Sequence, residues 1–341
     1  MSNNRLYIPD PVSAGIILSY KCNSECKHCM YACSPLWKAH WLTKEDIGLI
    51  LKQLASRIKP SPYGPESIGV NYGLHFTGGE PFLNYDLLLD AVKTANDFGI
   101  PSTFVETNCF WCVDDEQVGE KLVALKKAGL KGILISVNPF ILEQVPFERV
   151  ERAVRISEKV FGNNAIIYQE IYYHRFKKLS IRGTVALDQY LKIDGWALHY
   201  SELLPMGRAC YKLKHLFVKR PAKAFFNDSC VSELTRNWHV HIDNYFNYMT
   251  GYCGGISLGD ARNLDDLIRE GVSLDDRPIL RALVTSIKNL YEFAAREFNY
   301  RDNGEGYVSK CHLCIDIRRH IVQQTNEFKE LQPRELYYNL E

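Results

Sequence analysis

Residues 15–200 predict an α/β fold with a parallel sheet, on three observations. Short apolar runs of β character alternate with amphipathic helical stretches. Most of the helical stretches stop at a glycine, the residue that most easily takes the left-handed end of a helix. The unusual residues fall just after the apolar runs, where the loops of a parallel β/α sheet carry their chemistry. Six strand–helix units joined by right-handed crossovers suit a partial (β/α)6 TIM-like barrel.

The expected strands are 15–19, 73–76, 102–106, 132–137, 165–172 and 196–200. After the first, Thr43 reads as an N-cap with Asp46 three residues on. Ile47, Ile50, Leu51, Leu54 and Ile58 then share one helical face. Helices at 86–98, 116–127, 147–161 and 185–193, followed by Gly99, Gly129, Gly162 and Gly195, repeat the scheme.

With 341 residues the chain can bury a full core as one large domain or two. Its 41 basic and 40 acidic residues balance, so no global field favours nucleic acid or an acidic membrane. No apolar run reaches the length of a membrane span. The start, MSNNRLYIPDP, lacks the apolar core of a secretory signal. Eleven cysteines then speak for metal rather than disulfides, and for a cytoplasmic protein.

Three of those cysteines stand in eight residues, Cys22-Asn-Ser-Glu-Cys26-Lys-His-Cys29, straight after the first strand. Thiolates ligate iron–sulfur clusters, and a closed cubane takes four. Three ligands leave one iron open, as a catalytic metal site requires. After the second strand comes Gly78-Gly79-Glu80-Pro81, where glycines permit close approach of a ligand and a carboxylate can pair with an ammonium group.

The spacing C-x3-C-x2-C and the GGEP motif resemble the signatures of the radical S-adenosylmethionine (SAM) superfamily. The resemblance implies that Cys22, Cys26 and Cys29 hold a [4Fe–4S] cluster, and that Gly78, Gly79, Glu80 and Pro81 bind the methionine end of SAM. It places Ser136, with Asn138 beside it, at the ribose, His28 and Leu204 near the adenine, and Thr107 or Asn108 in the pocket. Cys109, just past the third strand, is the candidate catalytic thiol. An electron donor such as flavodoxin or ferredoxin is implied.

Residues 1–209 are the expected radical SAM core, and 210–341 a smaller α+β extension. The latter carries Cys230, a hairpin turning at Asp243-Asn244, Cys253, a Leu258-Gly259 turn, a helix over 278–298 and Cys311-His-Leu-Cys314. This order resembles the SPASM and twitch domains of radical SAM enzymes, which implies an auxiliary [4Fe–4S] cluster on Cys230, Cys253, Cys311 and Cys314. Zinc is the chemical alternative for four cysteines, and Cys210 could stand in for Cys230.

The layout resembles peptide-modifying members, in particular radical SAM peptide epimerases, through the spacing of 22–35 and the segment Thr107-Asn-Cys-Phe-Trp111. That implies epimerisation, crosslinking or oxidation of a peptide or protein. Gly254 follows Cys253 where some epimerases keep a hydrogen-donor cysteine, so Cys109, Cys33 or Cys210 would have to donate instead. About fourteen residues precede the first strand, so a peptide would need a separate recognition protein. The alternatives are a radical SAM dehydrogenase or mutase of a small metabolite and, from another class, an iron–sulfur sensor or electron carrier.

Overall fold

The computed structural model describes residues 4–341. Two compact units divide them: Val12–Cys26 with Cys33–Leu203, and the segment up to Pro11 with Lys27–Ala32 and Leu204–Glu341. Cys22 and Cys26 therefore belong to the first unit and Cys29 to the second.

The first unit contains five parallel strands, Ser13–Ile17, Gly73–Thr77, Phe104–Thr107, Gly132–Ser136 and Ala165–Tyr168, each paired with the next in chain order. Helices follow each of them, at Lys44–Leu54, Tyr85–Asp97, Asp115–Lys127, Phe147–Phe161 and Glu170–Lys178. The first helix opens with the capping box read from the sequence, Thr43 and Asp46 each accepting the other's backbone N–H. Its Ile47, Ile50, Leu51 and Leu54 are buried. The α/β class and the parallel, barrel-type sheet are those expected.

Strand alternation separates two faces. Ala14, Ile16, Leu74, Phe76, Val105, Ile133 and Ile135 are fully buried on one. The pairing register places His75, Thr77, Glu106, Ser136 and Tyr168 on the other. Towards the N-terminal ends that second face is sealed by Ile68, Phe104 and Leu134, with Val70 and Ile166 packed on them. Its polar row is left at the C-terminal ends, the end that carries the motif loops.

Two expectations for this unit fail locally. The expected sixth strand is a 3-10 turn, Gly195–Tyr200, in which Trp196 and Tyr200 are 49% and 70% exposed. A central parallel strand would bury both. The fifth strand ends at Tyr168, because Gln169 takes a left-handed φ of 61°. The apolar residues beyond it, Tyr172, Tyr173 and Phe176, are spaced for a helix and are buried on one.

In the second unit, Arg5–Leu6 pairs antiparallel with Val272–Ser273, and Val240–Ile242 with Tyr248–Met249. The latter hairpin does not turn on two residues. Asp243 builds a wider loop, its Oδ1 accepting from the backbone N–H groups of Tyr245 and Asn247 at 2.9 Å, with Phe246 at φ 64°. The expected helix over 278–298 is two, Pro278–Thr285 and Ile287–Phe298. Ser286 separates them, extended, and caps the second through the Asn289 N–H.

Candidate functional site

The GGEP segment runs beside the chain that leaves the first strand. Leu18 N–H donates to the Thr77 carbonyl at 3.1 Å, Gly79 N–H to Ser19 at 2.9 Å and Glu80 N–H to Lys21 at 3.1 Å. A Cβ on Gly79 would stand 1.8 Å from the Lys21 carbonyl oxygen, and one on Gly78 2.4 Å from that of Ser19. These glycines thus admit the backbone of the cysteine loop, a neighbour the sequence reading did not foresee. Cys33 belongs to the same contact, its Sγ donating to the Gly78 carbonyl at 3.4 Å.

Glu80 is buried, with 1% exposure. Its carboxylate accepts from Thr107 Oγ1 at 3.0 Å, Asn108 N–H at 2.8 Å and Phe82 N–H at 3.2 Å. Among the described residues it forms no ion pair. Burial pushes its pKa up to about 7, against the pull of the three hydrogen bonds. Asn108 ties this carboxylate to the cysteine loop, for its Nδ2 donates to Asn23 Oδ1 at 2.9 Å and lies 3.8 Å from Cys22 Sγ. Thr107 Oγ1 also accepts from Trp111 Nε1 and the Cys109 N–H, each at 3.0 Å. Cys109 holds a left-handed φ of 68° and, like Cys112, is fully buried. Pro81 opens the short turn Pro81–Asn84.

Glu106, which the sequence did not single out, lies on the polar face of the sheet. Thr77 Oγ1 donates to its Oε2 at 2.7 Å, and His75 Nε2 stands 3.8 Å from its Oε1. Burial raises its pKa to about 7, with the Thr77 bond opposing. Ser136 ends its strand opposite Tyr168. Asn138 is a helix cap, its Oδ1 accepting from Phe140 and Ile141 N–H at 3.1 and 3.0 Å.

In the second unit the segment bearing His28 and Cys29 is clamped by Gly207 and Arg208. A Cβ on Gly207 would meet the Met30 carbonyl oxygen at 2.3 Å. Arg208 is fully buried; its N–H donates to the Cys29 carbonyl at 3.1 Å and its Nη2 to that of Ala32 at 2.7 Å. Burial and the Arg208 charge lower the His28 pKa to about 4, so its ring is neutral. Leu204 is half-buried, its carbonyl accepting from Met206 N–H.

The same unit brings Cys230, Cys253, Cys311 and Cys314 together. Burial, then the neighbouring thiols Cys314 and Cys253, push Cys230 far up; Cys311 is raised to about 12 by burial, Cys253 and Cys314. Burial raises Cys253 to about 11. Cys311 and Cys314 sit in the first turns of helix Lys310–Gln324, whose cap is Ser309, so N–H groups and the positive end of the helix face the thiols. Cys210 senses Cys311 alone of the four and donates to the Pro205 carbonyl at 3.1 Å. Beside the group lies Arg318, 5% exposed, whose Nη1 donates to Tyr337 Oη at 2.7 Å and the Gly254 carbonyl at 3.1 Å. Its Nε has no hydrogen-bond partner, and among the described residues it forms no ion pair. Four cysteines gathered next to a buried positive charge fit an anionic metal–thiolate centre.

No family model matches the chain. It is 28% identical over 209 residues to GTP 3′,8-cyclase of Aquifex aeolicus (strain VF5), covering 56% of this chain and 56% of the cyclase. The chain thus spans about half the length of that curated relative. The three-cysteine loop and GGEP leave adjacent strands side by side, as their order in the sequence required. The chain is similar to radical SAM enzymes. Similar solved structures include native anSMEcpe with bound AdoMet, 12% identical, with a TM-score of 0.45 over 97% of this chain and 96% of that one. SuiB of Streptococcus suis bound to S-adenosylmethionine is 13% identical, with a TM-score of 0.38 over 85% and 76%.

Two residues of this protein escaped the sequence reading for a common reason. Glu106 sits in a β run and Arg318 in a basic helical stretch, Arg318-Arg319-His320, where charged residues usually face water. Only the fold shows that Arg318 is enclosed and that Glu106, its side chain 27% exposed, lines the polar face of the sheet. Among the described residues no helix is long and apolar enough to cross a membrane.

Proposed function

We propose that the chain is a radical SAM enzyme that cleaves SAM reductively and abstracts hydrogen from a peptide or protein substrate. Cys22, Cys26 and Cys29 would hold the [4Fe–4S] cluster, which when bound supplies the electron that splits SAM into methionine and a 5′-deoxyadenosyl radical. Glu80 would receive the methionine ammonium. The observation that carries the reading is this carboxylate, buried without an ion pair and tied through Asn108 to the loop of Cys22. Gly78, Gly79 and Pro81 fix its backbone; Thr107 and Asn108 orient its oxygens. Ser136 is assigned to the ribose, and His28, kept neutral, to the adenine with Leu204. Asn138 would act on the ribose side through its backbone placement, since its oxygen caps a helix. A non-catalytic sensor or carrier would have no use for an ammonium pocket.

Residues 1–209 are the proposed core, and 210–341 the SPASM- or twitch-like domain, with Cys230, Cys253, Cys311 and Cys314 as ligands of an auxiliary [4Fe–4S] cluster. Cys230 is preferred to Cys210 because its thiol senses three of the set. Cys109 is the proposed hydrogen donor if the reaction is an epimerisation. The peptide reading rests on 22–35 and Thr107–Trp111; a separate recognition protein and a flavodoxin or ferredoxin complete the system. A small-metabolite substrate is the second reading, favoured by the similarity to GTP 3′,8-cyclase. Anaerobic reconstitution with SAM and dithionite, followed by mass spectrometry, tests the proposal. Formation of 5′-deoxyadenosine is expected, with deuterium transferred into it from a labelled substrate peptide. Intact SAM after reduction would overturn the enzyme reading, and deuterium transfer from a metabolite alone would replace the peptide one.

A further inference from the structure

Arg318 is a full positive charge enclosed in the second unit without a carboxylate to meet it. A buried ion left unpaired costs several kcal/mol, so such charges persist where another group compensates them. Its guanidinium donates to the Gly254 carbonyl and the Tyr337 hydroxyl and also meets the Cys314 thiol, while its Nε has no hydrogen-bond partner. The groups beside it that can become anions are the Cys314 and Cys253 thiols, which a metal would deprotonate, and the Tyr337 hydroxyl. Gly254 and Gly255 bring the backbone next to Cys253 onto the Arg318–Tyr337 pair, since Tyr337 Oη also donates to the Gly255 carbonyl. The guanidinium is therefore fixed relative to two of the four cysteines from both sides.

Resting on the auxiliary-site assignment above, we propose that Arg318 is the internal counter-charge of the four-cysteine site and sets the reduction potential of the iron–sulfur cluster held there. A cubane bound by four thiolates is an anion, and taking up one electron makes it more negative. A fixed cation at short range in a low-dielectric setting favours the reduced form. Arg318 thereby makes the auxiliary cluster a better electron acceptor, as an oxidative reaction on substrate requires. It is a positioning residue, for it acts through the cluster and not on substrate.

The test uses the full chain carrying Cys22→Ala, Cys26→Ala and Cys29→Ala, so that any cubane signal comes from the second site. That parent, Arg318→Gln and Arg318→Lys are reconstituted anaerobically and titrated with dithionite under electron paramagnetic resonance, with iron and sulfide counted. About four irons are expected in each. At the parent's midpoint potential, the reduced fraction should fall in Arg318→Gln from about one half to about one tenth or less, a negative shift of at least ~59 mV for one electron. Arg318→Lys, which keeps the charge, should remain within about threefold of the parent. An Arg318→Gln protein with four irons and the parent's midpoint overturns the proposal while leaving the cluster assignment intact. A parent that binds zinc or no metal overturns the cluster assignment and this proposal with it. If Arg318→Gln loads no iron, Arg318→Lys decides: retained iron supports the counter-charge, and loss of iron in both shows that shape and not charge is needed.

Discussion

Each unit of this protein encloses an ionisable side chain that forms no ion pair among the described residues and lies beside cysteines, and the signs differ. In the barrel unit it is the Glu80 carboxylate, held by three neutral donors. In the second unit it is the Arg318 guanidinium, held by a carbonyl and a phenol. The carboxylate is fixed next to a loop with two cysteines of a three-cysteine motif, the guanidinium next to Cys253 and Cys314 of the four-cysteine group. In the proposed reading, the site that would take up an ammonium keeps a carboxyl group, and the site that would hold an anionic metal–thiolate centre keeps a cation. The comparison teaches that an enclosed ionisable group without an ion pair, set beside cysteines, points to the charge of the ligand proposed for each site.

The largest effect expected from breaking this symmetry comes from the three-cysteine loop. Cys22→Ala, Cys26→Ala and Cys29→Ala together should remove about four of about eight irons and abolish 5′-deoxyadenosine formation. Undiminished SAM cleavage in that variant would sink the assignment of the loop. Cys314→Ala should behave differently, losing the other four irons and turnover on substrate while still releasing 5′-deoxyadenosine, with a melting temperature within about 5 °C of the parent. Normal product per folded molecule would make the second site structural.

A smaller effect separates the two buried charges by pH. Glu80 ionises at about 7 in the folded chain against 4.5 for the ordinary group, so the folded state holds its proton longer. Its contribution is fully present below about pH 4.5 and is lost as pH rises through 7, up to about 3 kcal/mol. Half-buried His28 and buried His312, both lowered to about 4 by desolvation, act in the opposite sense, so the readout is the difference between wild type and Glu80→Gln. In the absence of SAM, Glu80→Gln should gain melting temperature relative to wild type between pH 5 and 8. Parallel curves across that range would show that the carboxylate is not desolvated. Arg318, charged throughout, predicts no such slope for Arg318→Gln.

The sequence showed the barrel site more clearly than the second one, for reasons of chain distance. Cys22 to Cys29 are eight residues in one loop, and Gly78–Pro81 a contiguous turn, so local patterns carried them. Strand and helix periods located five of six strands, and the capping box at Thr43 and Asp46 fell where its residues indicated. What failed was decided by tertiary contact. The 196–200 run has β-type residues, yet Trp196 lies outside under the Arg175 guanidinium, 4.5 Å from its ring centre. Asp243 overrode a two-residue turn with its own side-chain hydrogen bonds. The reason for Gly79 was misread: its missing side chain makes room for the Lys21 carbonyl. Arg318 gave no signal, because a buried arginine and an exposed one look alike in a helical sequence.

The claim that Glu80 is an anion awaiting an ammonium is tested most directly by SAM affinity. Anaerobically reconstituted wild type and Glu80→Gln would be titrated with SAM while the cluster spectrum is followed. A charge-assisted hydrogen bond of roughly 1.5–3 kcal/mol predicts about ten- to hundredfold weaker binding in Glu80→Gln, with cluster absorbance unchanged. Equal affinity in the two proteins would contradict the account.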